Sequence, residues 1–249
     1  KECRNRISKG SKSFSLAAQI LPASIRSGAF VIYAWCRRAD DAIDKSELAF
    51  QGKALEKLST ELDTIFVQKK TTNTIVNAFG DVAFETKIPS IYPRVMLEGM
   101  RMDINQPVYT DTEMLLLYCY RVASTVGLMM SHVIGLNNLS ALHSAAQLGI
   151  AMQLTNICRD VLEDWNMNRL YLPQDLLAQF GIANLKDSLG KPFPTSYIQP
   201  MKRVIQQLLK ISNTYYKISN NGLLALPWQA SISIRAAGRI YSSIGKKIK

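Results

Sequence analysis

The chain has 249 residues, of which 47% are hydrophobic and 20% are charged. These proportions are those of an ordinary globular protein and exclude a disordered chain, a collagen-like repeat and a disulfide-rich miniprotein. The formal net charge of +11 favours polyanionic partners, namely nucleic acid, anionic lipid headgroups or phosphate-bearing substrates.

Helical periodicity dominates the sequence, and its breaks predict where helices begin and end. Pro22 and Ser24 open the first predicted helix, a capping box at Thr110 and Glu113 opens the fourth, and Ser140 is expected to cap the fifth. In chain order the predicted helices cover residues 24–44, 46–68, 90–103, 110–136, 140–164, 173–181, 197–222 and 228–244. With short connections and no shift in composition, this pattern predicts one all-α domain over residues 1–249.

The first helix carries a stripe of polar residues on an otherwise apolar surface. Tyr33, Arg37, Asp40 and Asp44 follow one another at steps of four, three and four, which keeps them on one helical face. The two carboxylates are a helical turn apart, at ~6 Å. The longest clean apolar run, residues 29–36, is much shorter than the ~20 residues that a spanning helix needs, so a transmembrane protein is not expected.

A second stripe repeats this arrangement on the helix over residues 148–164. Gln153, Asn156, Asp160 and Asp164 share one face, and Arg159 stands beside it. Either acidic pair alone is most simply a solvated helix face. Two such pairs on apolar helices, each with an arginine, need a compensating cation. Carboxylates that face each other across a cavity would bind Mg²⁺ together with substrate phosphate oxygens.

The cysteine and histidine content limits the kind of metal site and the cellular compartment that the sequence favours. The four cysteines form no CxxC pair, and the two histidines make a zinc site improbable, so any metal must have oxygen ligands. Free buried thiols and the lack of a recognisable signal peptide predict a cytoplasmic protein. Basic residues are scattered rather than interleaved with aromatic ones, and nucleic acid is therefore not the expected partner.

These residues resemble the squalene/phytoene synthases, which join two prenyl diphosphates head to head. The resemblance is carried by residues 10–14 (GSKSF), 33–44 (YAWCRRADDAID), 118–130 (YCYRVASTVGLMM) and 148–173, of which the last block is the most specific. Arg239, Ile240 and Tyr241 match the last helix of the family. The chain stops soon after, and a C-terminal segment is therefore expected to be absent.

The resemblance implies the isoprenoid synthase fold, a single helical bundle around a deep central cavity. It implies Mg²⁺, with Mn²⁺ as an alternative, held by Asp40, Asp44, Asn156, Asp160 and Asp164. The diphosphate contacts that it implies are Ser11, Lys12, Ser13, Tyr33, Arg37, Gln153, Arg159 and Tyr241. Tyr118 matches the tyrosine that has a catalytic role in the family.

The implied reaction is the condensation of two geranylgeranyl diphosphates to phytoene through a cyclopropyl diphosphate, without NADPH. Leu16, Ala17 and Ala18 cannot block a tail channel as an aromatic residue would, which favours C20 over C15 substrates. Synthesis of dehydrosqualene, squalene or presqualene diphosphate from farnesyl diphosphate is the alternative, and a non-catalytic scaffold is a remote one. The charge and the lipid-soluble product predict peripheral attachment to anionic membranes; the oligomeric state stays open.

Overall fold

The computed structural model describes residues 19–105, 108–136, 138–183 and 185–248. Within these ranges the chain forms helices and no strands, as predicted. The α-helices are α1 (Ala23–Asp44), α2 (Leu48–Phe66), α3 (Thr74–Glu85), α4 (Ile91–Asn105), α5 (Thr112–Cys119), α6 (Thr125–Ile134), α7 (Leu139–Asn166), α8 (Gln174–Gln179), α9 (Ile198–Ser219) and α10 (Trp228–Ile248). Short 3₁₀ segments occupy Leu185–Ser188, Thr195–Tyr197 and Asn220–Ala225.

Helix α3 was not predicted, although its start carries a clear signal. The Asn73 side chain accepts hydrogen bonds from the backbone N–H groups of Ile75 and Val76, which is the usual way in which asparagine caps a helix. Caps elsewhere also differ from the prediction by one or two residues. Asp111 rather than Thr110 caps α5, and Asn138 rather than Ser140 caps α7.

The helix predicted over residues 110–136 is two α-helices joined by a π-helical turn, Tyr120–Ser124. A π turn holds one more residue than an α turn and is frequently found at functional sites. Gly149 of α7 lies against this turn, and a Cβ atom on Gly149 would come 2.5 Å from the Cα of Ser124. Only glycine allows the two backbones to approach so closely.

The two larger apolar cores of the described residues are built by different sets of helices. One core is built by α1 to α4 and contains the stacked rings of Trp35 and Phe79, with centroids 4.4 Å apart. The other is built by α5, α7, α8 and α9 around Leu154 and Leu208. Helix α7 packs against α6, α9, α10 and the π turn, while the residues of its polar stripe are partly exposed.

One stretch, Thr112–Ile134, is long and apolar enough to cross a bilayer by length and composition alone. It comprises α5, the π turn and α6, which pack against α4 and α7. Such a composition is also that of a core helix within a bundle.

Candidate active site

A cavity of about 600 Å³ lies between α1, α6, α7 and α10. One end of it is polar, and its remaining walls are largely apolar. Seven of the residues predicted from the sequence line it: Tyr33, Arg37, Asp40, Gln153, Asn156, Arg159 and Tyr241. Both polar stripes therefore contribute residues to one cavity, whereas the predicted metal ligands Asp44, Asp160 and Asp164 are not among the residues that line it. Tyr241, which the resemblance alone indicated, joins the lining residues from α10.

The apolar walls come from small and flexible side chains around the π turn and the last helices. Val122, Ala123, Val126, Gly127 and Met130 line the wall formed by the π turn and α6. Leu223 and Ile234, from the last 3₁₀ segment and α10, close the opposite side. An apolar space that ends at a cluster of charged groups suits a molecule with a hydrocarbon tail and an anionic head.

The two acidic side chains of the α1 stripe, Asp40 and Asp44, lie in different electrostatic environments. Burial, followed by the charge of Asp44, raises the pKa of Asp40 to about 7, while Arg37 opposes that shift. Asp44 lies one turn further and accepts a hydrogen bond of 2.7 Å from Arg169. Asp44 therefore has a cationic partner, whereas Asp40 lies in a region with an excess of negative charge.

The acidic pair of α7 shows the same imbalance. Arg159 folds onto Asp160 and donates two hydrogen bonds to its carboxylate, from Nε at 2.6 Å and from a terminal nitrogen at 2.5 Å. Burial, followed by the charge of Asp160, raises the pKa of Asp164 to about 7, while Arg169 opposes the shift. A cation placed between the two stripes would relieve this repulsion.

The side chain of Asn156 supports the same conclusion. Its amide nitrogen donates a 3.4 Å hydrogen bond to Gln153, but its buried oxygen Oδ1 has no protein partner. A buried oxygen without a donor is costly unless a ligand completes it. The predicted ligand oxygens thus fit a hard cation. In the described part of the chain, no three acidic, histidine or cysteine side chains converge into a complete metal site.

Tyr118 lies beside the cavity rather than on its wall. The Tyr118 hydroxyl donates a 2.9 Å hydrogen bond to one carboxylate oxygen of Asp103, and the Tyr171 hydroxyl donates a 2.9 Å bond to the other. The two rings are stacked, with centroids 5.0 Å apart. Burial raises the pKa of Tyr118 well above its ordinary value and that of Asp103 to about 6.

Asp103, Arg169 and Tyr171 were not assigned roles from the sequence. Asp103 is a single carboxylate near the end of α4, and no periodic partner marks it. Arg169 and Tyr171 follow the end of α7, where Asn168 adopts a left-handed conformation with φ of 59°. That turn sends the chain back towards Asp44 and Asp103.

The predicted diphosphate contacts Ser11, Lys12 and Ser13 lie outside the described residues, as does the segment Leu16–Ala18. Their proposed roles stay predictions from the resemblance.

The family model of squalene/phytoene synthase matches residues 7–249. The chain belongs to the squalene/phytoene synthase family. It is 33% identical over 249 residues to a 15-cis-phytoene synthase of Pantoea ananas, covering 96% of this chain and 79% of that protein. A 15-cis-phytoene synthase of Paracoccus sp. is 36% identical over 255 residues, covering 98% and 80%.

A solved structure of a dehydrosqualene synthase in complex with a ligand has a TM-score of 0.85 and 30% identity, covering 97% of this chain and 83% of that one. This squalene/phytoene synthase family member thus has the isoprenoid synthase fold, and the predictions of family and fold are confirmed. The chain spans about four fifths of the length of these phytoene synthases.

Proposed function

We propose that this protein is a phytoene synthase that condenses two geranylgeranyl diphosphates head to head in the presence of Mg²⁺. The observation that carries the proposal is one shared cavity, to which α1 contributes Arg37 and Asp40 and α7 contributes Asn156 and Arg159, and whose other walls are largely apolar. Identity of 33–36% to bacterial phytoene synthases favours this member of the family.

Asp40, Asp44, Asn156, Asp160 and Asp164 would hold the metal. When bound, Mg²⁺ neutralises the diphosphate and so assists its departure. The residues fit this role. Burial and mutual repulsion raise the pKa values of Asp40 and Asp164, and a cation beside them would offset that repulsion. Mn²⁺ offers the same chemistry with the same oxygen ligands.

Arg37, Arg159, Tyr33, Gln153 and Tyr241 would orient the diphosphate at the polar end of the cavity. Arginine binds phosphate oxygens with two parallel hydrogen bonds, which fixes orientation as well as charge. Arg159 makes such a paired contact with Asp160 in the free protein. A diphosphate would compete for that guanidinium and release the Asp160 carboxylate towards the metal.

The apolar walls protect the reaction from water. Loss of diphosphate from one substrate leaves an allylic cation, which the double bond of the second substrate attacks. Loss of a proton closes the cyclopropane ring. A second loss of diphosphate, a rearrangement and a further proton loss give the linear hydrocarbon. Tyr118, a neutral phenol hydrogen-bonded to a carboxylate, is the proposed proton-handling residue.

The test is incubation of the protein with C15 or C20 prenyl diphosphate and Mg²⁺, with and without NADPH, and identification of extracted products by mass. The expected product is a C40 hydrocarbon from the C20 substrate without NADPH. Products from the C15 substrate alone would instead identify a dehydrosqualene, squalene or presqualene diphosphate synthase. That alternative has support from the likeness to a dehydrosqualene synthase. A folded protein with no product from either substrate would indicate a scaffold.

We also propose peripheral attachment to anionic membranes. The net charge of +11 and a lipid-soluble product support it. Adhesion should weaken as salt rises, since screening shortens the range of the attraction to ~8 Å at physiological ionic strength.

A further inference from the structure

The positive charge of this protein is concentrated in its last quarter. Residues 188–249 contain ten lysines and arginines and no aspartate or glutamate. The preceding 187 residues hold 20 of the 30 basic side chains and all 19 acidic ones, so they are almost neutral. Nearly the whole excess charge is therefore carried by α9, α10 and their connections.

Helix α10 carries four of these ten cations, and three of them, Arg235, Arg239 and Lys246, lie on one face. Apart from Lys247, its exposed residues follow one another at steps of four, three, four, four and three, which trace a single stripe along the helix. In order they are Trp228, Ile232, Arg235, Arg239, Ser243 and Lys246. The stripe is apolar at its start and cationic beyond. The opposite face, with Ile234, Ala237 and Tyr241, lines the cavity.

Further apolar side chains surround the start of the stripe. Trp228 is 70% exposed and Ile232 is 49% exposed, while Leu224 in the adjoining 3₁₀ segment is 91% exposed. That segment lies on the first turns of α7, since a Cβ atom on Gly222 would come 2.4 Å from the Cβ of Ser144. Leu139, the first residue of α7, is 82% exposed.

A single exposed apolar residue is ordinary on a protein surface. Several on adjoining segments, next to a cationic stripe, are the pattern of a helix that lies in a membrane interface. Tryptophan is enriched at the depth of the lipid headgroups, and each arginine or lysine attracts anionic headgroups. Nucleic acid would complement the cations but would leave the apolar end of the stripe without a partner.

We propose that Leu139, Leu224, Trp228, Ile232, Arg235 and Arg239 form a docking surface for an anionic lipid bilayer. The apolar members enter the headgroup layer and the two arginines contact lipid phosphates. This proposal rests on the peripheral attachment put forward above and names the surface responsible for it. Because Leu223 and Ile234 of the same two elements line the cavity, docking places a wall of the cavity against the lipid.

Intrinsic fluorescence provides a direct test, because Trp228 is the one exposed tryptophan of three. Trp35 and Trp165 are 1% and 3% exposed. Vesicles of phosphatidylcholine with phosphatidylglycerol should shift the emission of the full chain to shorter wavelength, and brominated lipids should quench it. Trp228→Ser should remove both signals. Arg235→Gln with Arg239→Gln should weaken sedimentation with anionic vesicles at low salt by about 30-fold.

Matched controls replace residues of similar exposure that are distant in sequence from this surface. Phe84→Ser removes an aromatic side chain that is 67% exposed, and Lys53→Gln with Lys57→Gln removes two exposed cations from α2. Both controls should bind vesicles as the wild type does. Equal losses of vesicle binding in control and test variants would overturn the proposal. DNA binding of equal strength without a fluorescence shift would also overturn it. So would the formation of dimers that depend on Trp228 and do not bind vesicles.

Turnover with detergent-dispersed substrate separates this proposal from the proposed reaction. The docking variants should keep wild-type turnover in detergent, because Trp228, Arg235 and Arg239 do not line the reaction cavity. Stripe-dependent vesicle binding by a protein that makes no hydrocarbon would refute the reaction and leave the docking surface standing. Normal turnover together with vesicle binding that does not depend on the stripe would support the reaction and refute the docking surface.

Discussion

The carboxylates of the two stripes repel one another in the free protein. Asp40→Ala or Asp160→Ala should abolish product formation in Mg²⁺ yet leave the fold intact, because removal of one acid relieves repulsion. Product yield by mass and a melting curve measure the two effects. Near-normal turnover of either variant would contradict the metal assignment, whereas Asp81→Ala, at an exposed site of α3, should leave turnover unchanged.

Two neighbouring tyrosines allow a matched comparison around Asp103. The Tyr118 hydroxyl donates to Asp103, while the buried Tyr109 hydroxyl has no partner, although its ring packs edge-on against Tyr118 at 5.7 Å. Tyr118→Phe should cost about 2 kcal/mol of stability, as a lost hydrogen bond to a charged group does, and should reduce turnover strongly. Tyr109→Phe should leave both nearly unchanged.

Chemical denaturation and steady-state kinetics on the two variants measure these effects. A Tyr109→Phe loss as large as that of Tyr118→Phe would show that ring packing rather than the hydroxyl matters. If Asp103 positions Tyr118, Asp103→Asn should shift the pH profile of turnover, which a purely structural defect would not do.

At the residue scale, periodicity identifies only those site residues that recur at helical spacing on one helix. The stripes through Asp40 and Asp160 could be predicted because their members recur every three or four positions on one helix. The Asp103 cluster could not be predicted from periodicity, since α4, α5 and the turn after α7 each contribute one member. Such a cluster exists only after tertiary packing.

At the scale of elements, the contact between α7 and the π turn depends on one missing Cβ atom. Gly149→Ala would place a methyl group 2.5 Å from backbone atoms that cannot rotate away. We expect a loss of about 3 kcal/mol and a parallel loss of activity, since this turn also forms the cavity wall. Thermal melts and product yield check both.

Gly52 on α2 supplies the control of opposite sign. A Cβ atom there would have nothing within 4 Å, and the residue is exposed within a helix. Gly52→Ala should therefore stabilise the protein by about 0.5–1 kcal/mol. If Gly149→Ala melted at the wild-type temperature, the close approach of α7 to the π turn would not be a constraint.

Most helices could be predicted from sequence because apolar residues at helical spacing also mark the face that packs. Helix α3 was missed although Asn73 caps it, and α10 runs four residues beyond its predicted end. The π turn could not be predicted, because its sequence, YRVAS, has no feature that separates it from an ordinary α-helix.

At the scale of the whole molecule, the raised carboxylate pKa values predict how stability depends on pH. Asp40 and Asp164 have pKa values of about 7 in the folded state, against 3.8 ordinarily, and Asp103 about 6. The folded state therefore binds more protons than the unfolded state between pH 4 and 7. Their contribution to stability is greatest at low pH and is lost as pH rises through about 7.

Metal-free protein should accordingly melt at a lower temperature at pH 8 than at pH 5.5. Addition of Mg²⁺ with inorganic diphosphate should restore stability at pH 8, and Asp40→Asn should reduce the dependence on pH. Melting temperatures in EDTA across this range measure the effect. A melting temperature that rises from pH 5.5 to 8 would contradict it.

The π turn also bears on tolerance to insertions and deletions. An α-helix advances by about 100° per residue, so the extra residue of the turn sets the phase of α6 relative to α5. Tyr118 faces Asp103 from one side of that turn, and Val126 and Met130 face the cavity from the other. Deletion of Val122 alone would rotate one set away from its target while leaving a continuous, equally apolar helix. Length in this segment is therefore under tighter constraint than composition, and a related sequence aligned here with a one-residue gap would be expected to lack the site.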